Sequence, residues 1–281
     1  MLLFPNAKIN LGLSITEKRP DGFHNLLTVF YPIGLCDMLE FIEDPKVQKG
    51  RINLNITGIK VDGDPMENLC AKAYNLLQSD FNLPGLSVHL HKIIPIGAGL
   101  GGGSSDAAFM LKGLNSHFNL SLSTEELEEY AARLGSDCAF FIRNQPVFAY
   151  EKGNVFRDLK LILDDFYIML IHPGIHISTS IAYAQIVPSL PVKSPEKIVL
   201  LPVERWKDEL QNDFEKSLFG KYPEIRTIKE RLYKMGALYA CMSGSGSSVF
   251  GIFSEMPSVP EDFSSYFHWK GKLQAKMEGN Q

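Results

Sequence analysis

Between positions 97 and 103 five of seven residues are glycine, in the run PIGAGLGGGSSDAAF that begins at Pro95. An alternating apolar stretch, Leu86 to Ile94, leads into the run and a helical pattern leaves it, which predicts a strand–loop–helix unit. Ordering so many glycines costs more chain entropy than a plain structural turn can offset. Close approach of a ligand offsets it. Glycines let backbone N–H groups converge on one point, and the following helix presents the positive end of its dipole there. A phosphate group is the natural guest.

Several phosphate ligands fit such a loop. Gly97, Gly99 and Gly102 formally satisfy G-x-G-x-x-G, the dinucleotide fingerprint. The loop does not open a domain, however, and no acidic residue ends a strand about 20 positions later; Glu125 and Glu126 belong to a helix cap. There is no G-K-[ST], so no Walker A loop, and no H-R-D or D-F-G set. Ser104 and Ser105 instead follow the glycines at the helix start, placed to cap the helix, to bond phosphate oxygens or to ligate Mg²⁺.

Upstream, Ile9, Leu11, Leu13 and Ile15 alternate with Lys8, Asn10, Gly12 and Ser14, a strand with one buried face from whose other face Lys8 and Asn10 project. RPDGFH, Arg19 to His24, is turn chemistry. Further strands are expected at Leu26 to Ile33 and Ile52 to Ile56, and a helix at Asn68 to Ser79. Ser123 and Glu126 form a capping box for a helix that Gly135 stops, and Asp137 stands directly beyond it. The charged, weakly periodic segment Glu151 to Asp165 marks a boundary between domains 1–155 and 156–281. The second half opens on the strand Phe166 to Ile171. Helices follow near Thr179 to Gln185, Glu204 to Phe219 and Pro223 to Met235, and MSGSGSSVFGIF closes it on a strand. Strands and helices mix without regular βαβ alternation, so the fold class is α+β.

A net charge of −4 and the lack of a basic tract argue against a nucleic-acid binder, and no apolar run approaches a membrane span. MLLFPNAKIN interrupts its apolar residues with Pro5, Asn6 and Lys8 and is not read as a signal peptide. Cys36, Cys70, Cys138 and Cys241 form no C-x-x-C pair and suit a reducing cytoplasm as structural fillers. His89 and His91 share a strand face without a third ligand, which reads as locally bonded histidines. Glu125, Glu126, Glu128 and Glu129 read as a solvated helix face. Asp106 reads as serving the helix dipole.

Phosphoryl transfer to an alcohol requires phosphate positioning, a metal, a carboxylate to take the hydroxyl proton and a cation near the developing charge. The chain supplies a candidate for each. PNAKINLGL (Pro5 to Leu13), PIGAGLGGGSS (Pro95 to Ser105) and SGSGSSVF (Ser243 to Phe250) together resemble the three motifs of the GHMP kinases, in order and spacing over nearly the whole chain. AKINLGL with RPDGFHNLLT is similar to the branch of that family in the non-mevalonate isoprenoid pathway, whose acceptor alcohol is a cytidine-diphosphate methylerythritol.

The resemblance implies a two-domain GHMP fold with the active site in the interdomain cleft, ATP and Mg²⁺ as requirements, and a monomer or homodimer. It implies Lys8 and Asp137 as the catalytic pair, in GSDCAFF where relatives more often read G-S-D-V-P-F-F. ATP would lie on Pro95, Ile96, Gly97, Ala98, Gly99, Leu100, Gly101, Gly102, Gly103, Ser104 and Ser105, with Asn68 and Lys92 framing the adenine. Mg²⁺ would fall to Ser104, Ser105 or Asp137. Asn10, Phe23, His24, Thr179 and Tyr183 would meet the acceptor, Phe23 and Tyr183 as an aromatic sandwich around the base. Phe23 stands where relatives usually carry tyrosine. The rivals are a GHMP kinase for another alcohol such as homoserine or mevalonate, a dinucleotide-binding oxidoreductase, and a ligand sensor of the same fold.

Overall fold

The structure, a computed structural model, describes residues 1–274; positions 275–281 of the expected second domain lie outside the described residues. In chain order the first strands are β1 (Leu2–Leu3), β2 (Asn6–Lys18), β3 (His24–Cys36), β4 (Met38–Glu43), β5 (Ile52–Gly58) and β6 (Leu86–Lys92), with helix α1 (Leu69–Phe81) between the last two. Helices α2 (Gly102–His117), α3 (Thr124–Leu134) and α4 (Phe140–Arg143) precede β7 (Val147–Tyr150) and β8 (Val155–Asp158). The second half runs β9 (Tyr167–His172), α5 (Thr179–Tyr183), α6 (Pro195–Ile198), α7 (Trp206–Glu209), α8 (Asp213–Lys221), α9 (Pro223–Lys234), β10 (Tyr239–Met242), β11 (Val249–Phe253) and β12 (Phe267–Lys272).

Three four-stranded sheets result, ordered β1-β4-β6-β5, β2-β3-β7-β8 and β10-β11-β9-β12. Only the β5–β6 pairing among them is parallel, as expected of α+β architecture. The first sheet packs with α1 and α2 around Phe41, Tyr74, Leu77 and Met110. The second shares a core with the third: Ile9, Leu11, Val29 and Tyr31 of β2–β3 meet Ile168, Leu170, Phe250 and Ile252. The two halves therefore do not fold around separate centres.

That sharing corrects the expectation for β2. Asn6 through Leu13 are buried on both faces, because the apolar face takes the C-terminal sheet while Lys8 and Asn10 lie beneath the glycine loop. A bulge at Gly12, between the register pairs Leu11↔Val29 and Leu13↔Thr28, brings Leu210 against the glycine backbone. Position 155 opens β8, which pairs with β7, and Phe156 lies 6.1 Å from the Phe30 ring.

The helix expected over Glu204 to Phe219 is broken into α7 and α8. Asn212, buried at the break, accepts from the Phe214 N–H as the cap of α8 and donates to the carbonyls of Met242 and Gly244, each at 2.8 Å. The third glycine-rich segment is thus held by the side chain that caps α8. Asn212→Ala removes three buried hydrogen bonds and should destabilise the fold by about 2–4 kcal/mol, read from urea midpoints; a loss below about 0.5 kcal/mol, the range of neutral surface changes, would overturn this account.

Candidate active site

The loop after β6 enters α2 through Gly101, and α2 has no side-chain cap. Ser105 N–H donates to Gly101 O at 2.9 Å, so the amides of Gly102, Gly103 and Ser104 precede the helical ladder and are available to an anion. Ser104 and Ser105 therefore sit in the first turn and do not cap it.

The loop is fixed from both sides. Lys8 N–H donates to Leu100 O at 3.0 Å. Ser243 Oγ donates to Gly99 O at 2.8 Å and accepts from Asn10 N–H at 3.2 Å. Gly99 has φ +78° and a Cβ there would stand 2.0 Å from Ser243 O, so only glycine lets the two backbones meet. Three segments far apart in sequence are in this way one backbone unit.

Lys8 lies beneath that unit, nearly inaccessible. Its Nζ donates to Asn10 Oδ1 at 2.6 Å, stands 3.4 Å from Asp137 Oδ2, and lies 4.6 Å from the Phe30 ring centroid. Asn10 Nδ2 donates to Thr28 Oγ1 at 3.0 Å, whose hydroxyl donates to Gly12 O. Burial pulls the Lys8 ammonium below its ordinary value, while the charge of Asp137 and its hydrogen bond pull the other way. Asp137 occupies the turn between α3 and α4 and is one-third exposed, so it meets both the lysine and the cavity.

Two cavities meet at this pair. One of ≈ 470 Å³ runs along the loop and is lined by Pro95 to Gly99, Gly101 to Ser104, Asn68 and Asp137. The other, ≈ 200 Å³, holds Lys8, Asn10, Thr28, Tyr183 and Phe214. Gly99, Gly101, Asp137 and Thr179 border both. A groove of ≈ 790 Å³ beside Arg143 and Arg157 is larger, but none of the three motifs reaches it.

Several of the expected site residues also have structural engagements. Leu100 is a core side chain whose carbonyl accepts from Lys8 N–H. Ser105 Oγ is buried without a hydrogen-bond partner. Asn68, on the loop cavity, caps α1 through Cys70 N–H. Lys92 also borders that cavity, and its ammonium donates to Asp37 Oδ2 and, at 2.7 Å, to Asp106 Oδ2. Asp106 thus belongs to a buried ion cluster under the loop rather than to the helix dipole. Phe23 is 60% exposed at the tip of a turn that Arg19 and Asp21 tighten, and His24 is the ring stacked on Tyr183, 4.6 Å apart at 24°.

Cys138 is a buried thiol that burial pushes up to about 11, and the other cysteines are unpaired. His89 and His91 both bond Thr57 Oγ1. The acidic face of α3 is partly engaged, Arg143 holding Glu125 and Glu128 and Glu126 closing the capping box. Among the described residues no cluster of three His, Cys, Asp or Glu side chains is placed to hold a metal. Ser104 and Asp137, both on the loop cavity, nevertheless offer hard oxygen donors suited to Mg²⁺ that completes its shell with phosphate and water.

Thr28, Phe30, Asp37, Lys152, Asn212 and Phe214 were not foreseen. Only Asn212 carried a local signal, as a polar residue before Asp213-Phe214 at a possible helix cap.

Two family models match this chain: the GHMP kinases N-terminal domain over residues 68–151 and the GHMP kinases C-terminal domain over residues 200–266. A relative from Bacteroides thetaiotaomicron, 4-diphosphocytidyl-2-C-methyl-D-erythritol kinase, is 54% identical across 97% of this chain and 100% of its own length. The chain belongs to the GHMP kinases. A second GHMP kinase relative of the same name, from Porphyromonas gingivalis, is 44% identical over 96% of this chain and 98% of that protein. Among solved GHMP kinases, a crystal structure of 4-(cytidine 5'-diphospho)-2C-methyl-D-erythritol kinase matches with a TM-score of 0.78 at 29% identity, covering 98% of this chain and 100% of that one. Methanococcus jannaschii mevalonate kinase matches with a TM-score of 0.68 at 14% identity, covering 98% of each chain, a likeness of fold alone. As a GHMP kinase the protein uses ATP, and no helix among the described residues is long and apolar enough to cross a membrane.

Two outcomes follow from the loop and the cluster beneath it. Gly99→Ala should lower kcat/KM for ATP at least about tenfold and cost about 1–3 kcal/mol of stability through backbone strain; wild-type values for both would mean that the Gly99–Ser243 contact does not matter. Burial lifts the Asp106 carboxyl to about 7, with Lys92 opposing and Asp37 reinforcing the rise. That folded value lies above the ordinary 3.8, so the stability contributed by the protonated form is complete only below about 3.8 and is lost progressively as pH rises to about 7. Asp106→Asn, which keeps the neutral shape, should therefore gain on the wild type in urea midpoint between about pH 5 and about pH 8. A difference that stays flat across that range would show that Asp106 does not titrate there.

Proposed function

We propose that this GHMP kinase transfers the γ-phosphoryl group of ATP to the 2-hydroxyl of 4-diphosphocytidyl-2-C-methyl-D-erythritol, a step of non-mevalonate isoprenoid precursor synthesis. The name shared by relatives at 44–54% identity over nearly the full chain supports the substrate. The observation that carries the chemistry is the pairing of buried Lys8 with the partly exposed Asp137, 3.4 Å apart where the two cavities join.

In this reading Asp137 is the base. It accepts the hydroxyl proton as the acceptor oxygen bonds to phosphorus and the bond from phosphorus to the leaving diphosphate breaks. Lys8 pairs with the carboxylate and places positive charge beside the oxygen that becomes negative. Asn10 holds the Lys8 ammonium in line, and the Gly97–Ser104 backbone amides take the phosphates. Mg²⁺, when bound, would neutralise phosphate charge, and Ser104 and Asp137 are the protein oxygens proposed to hold it. At the acceptor end Thr179 borders the reacting hydroxyl and the His24–Tyr183 stack is the proposed reader of the cytosine, with Phe23 at its rim.

The division into 1–155 and 156–281 belongs to the same proposal. The family-model matches on either side support it, while the pairing of β8 argues for an edge after Asp158.

The test is ADP release from Mg-ATP with the cytidine compound, against free methylerythritol as control acceptor, with the product's mass checked for one added phosphate. Turnover of the cytidine compound alone is expected; turnover of neither, or of both equally, sinks the assignment. Asp137→Asn should lower kcat by about 10²–10⁴ and leave ATP affinity within about twofold. Unchanged turnover would remove Asp137 from the chemistry.

A further inference from the structure

We infer that Lys152 is the residue that receives the diphosphate of the acceptor substrate, and so selects a nucleoside-diphosphate-bearing alcohol over a free polyol; this rests on the acceptor proposed above. Lys152 lies in the turn between β7 and β8. Two backbone bonds fix that turn: Gly153 N–H donates to Tyr150 O at 3.0 Å, and Leu26 N–H donates to Glu151 O at 2.6 Å, tying it to β3. The half-buried lysine borders the smaller cavity together with Lys8 and Asp137. Its ammonium stands 5.1 Å from the centroid of the exposed Phe23 ring.

Charge makes the assignment. The ionisable side chains that border this cavity with a fixed charge are Lys8, Lys152 and Asp137. Lys8 is already paired with Asp137, so those two present no net charge to a ligand. A diphosphate diester enters as a dianion and must lose water in doing so, which demands a cation. Among the described residues no carboxylate lies within 4 Å of the Lys152 ammonium, Asp21 meeting its charge only at longer range, and the nearby Arg19 is held by Asp21 and Asn25. Position agrees with charge. The phosphoryl-accepting hydroxyl belongs at Asp137 and the base at the Phe23–His24 turn, and Lys152 stands on the rim between them, where the diphosphate linking polyol to nucleoside has to pass.

Lys152→Met keeps the stem over Phe23 and removes the charge; Lys152→Arg keeps the charge. With wild type turning over the cytidine compound, Lys152→Met should raise the acceptor KM about 10–100-fold, as for loss of a hydrogen bond between charged groups, while kcat and the KM for ATP stay within about twofold. Lys152→Arg should return most of the loss. Competitive inhibition against the acceptor, at saturating ATP, separates phosphate from base: cytidine diphosphate should outbind cytidine on the wild type, and Lys152→Met should erase that difference. An unchanged acceptor KM, or equal weakening of cytidine and cytidine diphosphate, overturns the inference and leaves the kinase assignment standing. A wild type inactive on the cytidine compound overturns both.

Discussion

A buried ammonium has to find a countercharge, and the need of Lys8 organises the centre of this molecule. Taken from water alone it would cost several kcal/mol. Its compensation comes from three parts of the chain: Asn10 two residues along β2, the Phe30 ring on β3, and Asp137 from the turn after α3. The glycine loop must then cross directly above, which is why Lys8 N–H reaches Leu100 O and why residue 99 has no room for a side chain. Satisfying one charge thus brings the proposed proton acceptor, the glycine loop and the third glycine segment to one place. The proposed catalytic geometry and core stability rest on the same set of contacts.

The second buried lysine shows what distinguishes a structural charge from a chemical one. Lys92 is as inaccessible as Lys8, and burial depresses both ammoniums. For Lys92 the two carboxylates of Asp37 and Asp106 more than reverse that effect, and its value is raised. For Lys8 a single, longer contact with a partly exposed carboxylate does not, and its value falls. Lys92 is therefore a fastening, joining the corner after β3, the end of β6 and the second turn of α2. Asp37 extends the fastening by accepting from the N–H groups of Ile93 and Ile94, at the start of the phosphate loop. Lys8 is held less completely. Its ammonium retains the capacity to respond when charge develops beside it.

What could be read from sequence was whatever local backbone chemistry decides. The glycine loop, the Ser123–Glu126 capping box and the stop at Gly135 depend on neighbours within a few residues, and each stands where the pattern put it. The α+β class followed from the order of such elements. Features set by distant partners were illegible. Nothing near Asp37 says that a lysine 55 positions away will need it. The run from Glu204 to Phe219 has helical periodicity, but Asn212 gains more from bonding Met242 and Gly244 than from continuing a helix. Phe23 drew notice as the aromatic of its turn, yet the turn's own hydrogen bonds aim it outward and leave His24 to meet Tyr183. Alternation in β2 described one face correctly and could not disclose that the other was buried as well.

The two kinds of residue occupy different depths, and that bears on how such a fold diversifies. The groups proposed for phosphoryl transfer sit on β2, on the glycine loop and in a turn between packed helices, tied to one another by main-chain bonds that leave little freedom to vary. Those proposed to choose the acceptor, Phe23, His24, Lys152 and Tyr183, lie on the tips of two hairpins and on the five-residue helix α5. A hairpin tip can change without disturbing the register beneath it, whereas a side chain at Gly99 would separate two backbones. In that proposal the acceptor is selected by three rings, of which Phe23 is exposed and His24 and Tyr183 are half-buried, and by one cation, set above chemistry that does not depend on them.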